Sequence, residues 1–219
     1  MDLSHLPKDV LMLLALEMDI EYVINLCQSS SLFNNKICKD NHFWLNKLFK
    51  EFGIRTELSK AKYEYLSLRN MLKNKPNDVL ESGIKTENYT MVKTAIESGA
   101  NPNLKIGSSY PITLSMFLTS DEILLFLLNK VNYDDIKLII GNMITKFEYY
   151  SKNKKCVFFT RFIGIFLPYA SKFMPKNEWK PFWSKTTIKL EELNRTDKDC
   201  ISDEFYNKWI GFYKELSEN

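Results

Sequence analysis

The chain has 219 residues, 45% of them hydrophobic and 14% aromatic, which excludes a disordered polymer because so much apolar surface must be buried. A net charge of +3 among 26% charged residues is too small to name a partner class. Seven glycines, none closer than eight positions to the next, exclude a phosphate-cradling glycine loop.

Two histidines, His5 and His42, and four cysteines without a CxxC spacing argue against a zinc site and against a disulfide framework. No metal or cofactor is therefore expected, and a reducing, intracellular compartment is the default. The chain opens on the acidic Met1-Asp2 rather than on a basic leader. The apolar runs Val10 to Leu16 and Phe162 to Ala170 fall far short of the roughly 20 residues that cross a bilayer, so no membrane association is expected.

The first helix opens at Leu6-Pro7-Lys8-Asp9, with Pro7 suited to a first turn and Asp9 to the positive end of the dipole. Its body, Val10-Leu11-Met12-Leu13-Leu14-Ala15-Leu16, is apolar all round. An ordinary surface helix carries a single apolar stripe, so the spare face calls for a partner. A second helix follows over Glu21 to Gln28. The serines Ser29-Ser30-Ser31 break it and can cap a third over Leu32 to Cys38. Asp40 caps a fourth, with Phe43, Trp44, Leu48, Phe49 and Phe52, and Gly53 ends it in the left-handed conformation.

The ordered set Leu6-Pro7-x-Asp9-Val10-Leu11, Leu26-Cys27, Phe33-x-x-x-Ile37-Cys38-x-Asp40 and Phe43-Trp44-x-x-x-Leu48-Phe49 resembles an F-box over about residues 4–53. The resemblance implies a three-helix module that docks on the Skp-type adaptor of cullin–RING ubiquitin ligases. It also implies that Leu6, Pro7, Val10, Leu14, Leu26, Cys27 and Trp44 lie at or near that contact. One departure is Gln28, which stands where the family often has a basic residue.

Residues 54–76 read as a helical linker of one or two helices over Leu58 to Leu72, stopped before Pro76. An internal repeat follows at an offset of 32 residues, placing Asp78 to Gly83 on Tyr110 to Ser115 and Met91-Val92 on Ile123-Leu124. In its best stretch, Met91 to Asn103, the residues Val92, Ala95 and Ile96 face a neighbour. Gly99 reverses the chain through positive φ, and Asn101-Pro102-Asn103 makes a turn. Period and pattern resemble degenerate ankyrin repeats over residues 77–134. Tyr110-Pro111-Ile112-Thr113 is the remnant of the family's Thr-Pro-Leu-His motif, and Val131 stands in place of a turn glycine. Two such units cannot close a core alone, so a helical region over 135–219 must cap them.

Helices are expected there over Asp134 to Tyr150, Cys156 to Tyr169, Lys176 to Asn194 and Ser202 to Ser217. Residues 141–181 carry eight basic groups (Lys146, Lys152, Lys154, Lys155, Arg161, Lys172, Lys176 and Lys180) against two acidic ones, interleaved with aromatics. Helical spacing places Phe158, Phe162 and Phe166 on one buried face and the lysines on a solvated one. Lysine also outnumbers arginine, which disfavours specific phosphate reading. Nucleic acid is therefore an unexpected partner. Phe173, Trp179, Phe182 and Trp183 extend the same aromatic core.

No catalytic set emerges. His5 and His42 read as surface residues, Cys27 and Cys38 as small core residues. The pairs Asp134-Asp135 and Glu191-Glu192 point apart on a helix. The expectation is an all-α, non-enzymatic protein whose joint organisation resembles the F-box/ankyrin proteins of giant DNA viruses. By that analogy it is a substrate adaptor in the host cytoplasm, bridging a Skp-type adaptor and an unidentified protein target. The alternative is a viral structural or assembly protein that packs the same helices on another subunit.

Overall fold

The computed structural model describes residues 5–117, 120–132, 135–136, 138–139, 152–170, 187–188, 191 and 203–217. Among these residues the protein is all-α, with no strand beyond one isolated bridge between Ile106 and Ser109. The chain forms two compact units, Met1–Val79 with Thr90–Ala100, and Leu80–Tyr89 with Asn101–Asn219.

In the first unit, α1 runs over Lys8–Glu17 behind Pro7, and α2 over Ile20–Ser29. The Asp19 side chain caps α2 by accepting from the Glu21 N–H at 2.9 Å. Ser30 caps the short α3, Ser31–Phe33, accepting from the Phe33 N–H at 3.2 Å. The chain then widens into a π turn over Asn34–Cys38. Asp40 caps α4, Asn41–Phe52, through the His42 N–H at 2.8 Å. Gly53 ends α4 at φ 66°, a left-handed cap for which glycine carries no Cβ penalty. The linker is one helix, α5, Ala61–Asn74.

The core of this unit is aromatic. Phe43, Trp44, Phe52 and Tyr65 are fully buried. Trp44 meets Phe43 edge-on with ring centroids 5.1 Å apart, and Tyr65 lies 5.6 Å from Trp44 and 5.9 Å from Phe52. Leu11 and Ala15 of α1, Val23 of α2 and Leu48 of α4 complete it.

Two further helices, α6 (Pro76–Lys85) and α7 (Tyr89–Glu97), are followed by α8 (Pro111–Ser115) and α9 (Asp121–Leu128). Gly99, just past α7, has φ 98°, the conformation its place in the turn required. Ser120 caps α9.

In the second unit, α10 (Lys152–Arg161) passes through a π turn at Phe162–Phe166 into α11 (Leu167–Ala170). Pro168 has no N–H to offer the Gly164 carbonyl, as a regular helix would require, and the wider turn stands just before it. Phe158, Phe162 and Phe166 are buried and stacked at 5.6 and 5.4 Å, joined by Phe117 at 4.7 Å and by Trp209 of α12 (Asp203–Ser217) at 6.1 Å. Most of the helix expected over 134–150, all but a few residues of that over 176–194, Phe173, Trp179, Phe182, Trp183 and the lysine side chains of the basic block lie outside the described residues. Arg161, the block's arginine, is not a surface cation. It is buried, donates from Nη1 to the Ser115 carbonyl at 3.1 Å and pairs through Nε with Asp121 at 2.8 Å.

The cysteine reading is corrected by the structure. Cys27 and Cys38 form a disulfide, with Cα atoms 6.2 Å apart, and Cys156 is disulfide-bonded as well. The reason is tertiary. The π turn folds back along α2 and brings together two cysteines whose spacing carries no motif. Cysteine usage therefore no longer argues for a reducing compartment.

Candidate functional site

Helix α1 is held by its ends rather than covered. At its start, the Lys8 ammonium pairs with Asp40 at 2.6 Å, and Lys36 donates to the Leu6 carbonyl at 3.3 Å. The Lys8 ammonium beside Asp40, reinforced by the His42 N–H, holds that carboxyl below the usual range. At its finish, Lys47 reaches from α4 and donates to the carbonyls of Leu16 at 2.9 Å and Met18 at 2.7 Å. Lys50 pairs with Glu17 at 2.5 Å and lowers that carboxyl too. These lysines satisfy carbonyls that the helix end leaves without partners, at the negative pole of its dipole.

Between the two anchors, α1 buries one stripe and exposes the other. Leu11 and Ala15 are in the core, while Val10, Leu13 and Leu14 keep 41, 66 and 45% of their surfaces in solvent. Positions i, i+3 and i+4 share a helix face, so these three aliphatic chains form one stripe along α1.

The residues singled out by sequence separate into three groups. Pro7, Val10 and Leu14 are exposed; Leu6 and Leu26 are half-buried. Cys27 is half-buried and spent in the disulfide. Trp44 lies in the core at 1% exposure, its indole N–H donating to the Cys38 carbonyl at 2.8 Å. Its ring supports the π turn from beneath and is not part of the exposed stripe. Leu13, the most exposed member of the stripe, was missed, although the 10-13-14 spacing carries the signal.

Two open clefts lie beside this module. One, of about 510 Å³, is lined by Ile20, Glu21 and Ile24 of α2 and by Leu66, Arg69 and Lys73 of α5, among others. The other, of about 360 Å³, runs on past Ile24 and Leu66 to Cys27, Trp44 and Lys62. No group of three or more His, Cys, Asp or Glu side chains among the described residues is placed to hold a metal. No helix among the described residues is long and apolar enough to cross a membrane. In comparisons with protein families, curated proteins and solved structures, no family, protein or structure matches this chain.

Proposed function

We propose that the protein is a non-enzymatic interaction adaptor whose α1 face docks on a Skp-type adaptor of a cullin–RING ubiquitin ligase, leaving the later helices to hold a protein target. The F-box resemblance of residues 4–53 names the partner. The observation that carries the reading is the exposed Val10-Leu13-Leu14 stripe on a helix fixed at both ends. A stripe held in place needs little ordering on binding, so its affinity is not spent on fixing the helix. Covering each half-exposed aliphatic chain contributes on the order of 1 kcal/mol.

The test is co-purification of the full chain with a eukaryotic Skp-type adaptor, for wild type and for Leu13→Asp with Leu14→Asp. Both positions are exposed, so the variant keeps its fold, which circular dichroism checks. Retention by wild type with loss in the variant supports docking. No retention by wild type at micromolar concentration ends the reading and leaves subunit packing as the use of this face.

A further inference from the structure

A second surface, on α2 and α5, is not used by α1. The two clefts beside the module share Ile24 and Leu66 in their linings and so adjoin along one groove face. Its α5 wall carries Lys62, Leu66, Arg69 and Lys73, at positions i, i+4, i+7 and i+11, which lie on one helix face. From Lys62 to Lys73 that face runs about 16 Å, the length of three helical turns. The floor is aliphatic: Ile20 is buried beneath it, Ile24 is half-buried, and Leu66 keeps 37% of its surface in solvent.

The charges along this wall are poorly answered from within. Lys73 has no ion-pair partner among the described residues. The Lys62 ammonium sits 5.3 Å over the Trp44 ring and 3.5 Å from the Cys38 carbonyl, with no carboxylate paired to it among the described residues. Arg69 pairs with Glu51 at 3.7 Å, a carboxylate it shares with Lys47, and more loosely with Asp19 at 4.0 Å. Glu21 is the acidic side chain that lines the opposite wall. Lys62, Lys73 and the partly paired Arg69 thus border Ile24 and Leu66, with Glu21 as the acidic side chain in the lining.

We propose that this groove binds an acidic amphipathic helix of a partner protein. The apolar positions of that helix seat on Ile24 and Leu66, and its carboxylates face Lys62, Arg69 and Lys73. A phosphate backbone does not suit the site, because the floor between the cations offers aliphatic side chains rather than exposed stacking rings. The wall that supplies the charge lies on α5, beyond the segment that resembles an F-box, so the proposal does not rest on adaptor docking.

The test is selection from a displayed library of random peptides of about a dozen residues, the length of three helical turns. The full chain is the bait, as wild type, as Lys62→Glu with Lys73→Glu, and as Leu13→Asp with Leu14→Asp. Wild type is expected to enrich peptides with net negative charge and apolar residues spaced i, i+3 or i, i+4. The best peptide loses roughly tenfold or more in affinity on the α5 double variant, and weakens with added salt. It keeps its affinity for the α1 variant, which separates this site from the docking face. Both lysines are exposed, so a preserved helical spectrum is expected for the reversed chain. Enrichment without acidic bias, or affinity untouched by the α5 reversal, overturns the proposal, as does failure to enrich any peptide.

Discussion

The ammonium of Lys47 lies 2.9 Å from the carboxylate of Glu51, one turn further along α4, with the lysine side chain only 3% exposed. The pair is a junction. Lys47 donates onward to the carbonyls that end α1, and Glu51 accepts the Tyr65 hydroxyl at 2.9 Å from α5. The backbone carbonyl of Glu51 also accepts from Thr94 of α7 at 2.6 Å. One turn of α4 therefore ties α1, α5 and α7 together and fixes the angle at which α1 presents its exposed stripe. Replacing Lys47 by Met removes the shorter lysine bonds to the α1 carbonyls and leaves Glu51 only the longer contact with Arg69. The expected cost is about 2–4 kcal/mol in denaturant melts. A cycle with Glu51→Gln should return a coupling of about 1 kcal/mol or more. Independent, additive effects would mean that the two residues do not act as a unit.

Tyr65 sits against this junction. Burial, with the Glu51 carboxylate beside it, pushes its phenol far above the ordinary value of 10.0. A raised phenol stabilises the fold fully below the unfolded value and progressively less as pH rises above it. Wild type should therefore lose stability from about pH 10 upward, relative to Tyr65→Phe. At neutral pH the variant costs about 1 kcal/mol through the lost hydroxyl bond. Parallel alkaline limbs for the two proteins would refute the assignment.

Asp40 acts at the other end of the pH scale. It caps α4 and pairs with Lys8, so its carboxyl is held below its ordinary value of 3.8. A depressed carboxyl contributes stability above the unfolded value and loses it as pH falls through the folded one. Asp40→Asn keeps a capping oxygen but drops the ion pair. Its stability gap from wild type should be present above about pH 4 and close below it. Asp40→Ala, which removes the cap as well, should cost about 1 kcal/mol more at neutral pH.

These residues also mark what a single sequence can express. The caps at Ser30, Asp40 and Gly53 are local chemistry, legible because the capping group and the amide or turn it serves lie within three residues of each other. The buried face of Phe158, Phe162 and Phe166 is legible from its period. Lys47 is not. A lysine on a helix is expected to face water, and only the approach of the α1 carbonyls, some thirty residues away in sequence, makes its burial favourable. Cys27 and Cys38 pair for a similar reason, since nothing before the fold-back of the π turn brings them together. Trp44, which the resemblance places at or near the adaptor contact, lies in the core with its indole N–H donating to the Cys38 carbonyl, a partner six residues back that only the folded chain reveals. The groove lies between α2 and α5, segments more than thirty residues apart, so its charge pattern exists only once both are placed.

In the second unit, Thr113 is fully buried and its hydroxyl has no hydrogen-bond partner among the described residues. A buried hydroxyl with no partner forfeits its hydration without return. Thr113→Val keeps the branched shape and removes the oxygen. It should stabilise the fold by about 1 kcal/mol in denaturant melts. Thr113→Ser, which retains the hydroxyl and deletes the methyl, should destabilise instead. Loss of stability in the valine variant would reveal a partner for the oxygen.

Arg161 makes the opposite case, a buried polar group that is answered. Its guanidinium donates to the Ser115 carbonyl at 3.1 Å and meets Asp121 at 2.8 Å, joining the end of α8 to the start of α9 from α10. The Asp121 carboxylate is 62% exposed, so that ion pair is screened and contributes little. The bond to the buried carbonyl carries most of the effect. Arg161→Met should therefore cost about 2–3 kcal/mol, whereas Asp121→Asn should cost under about 1 kcal/mol. Arg161→Lys recovers little, because one ammonium lacks the planar fork that reaches both oxygens. Amide hydrogen exchange checks the location of the effect. Protection of the Leu114 and Met116 amides, which bond within α8 to Tyr110 and Ile112, should fall in Arg161→Met and persist in Asp121→Asn. Equal losses in the two variants would place the stabilisation in the ion pair instead.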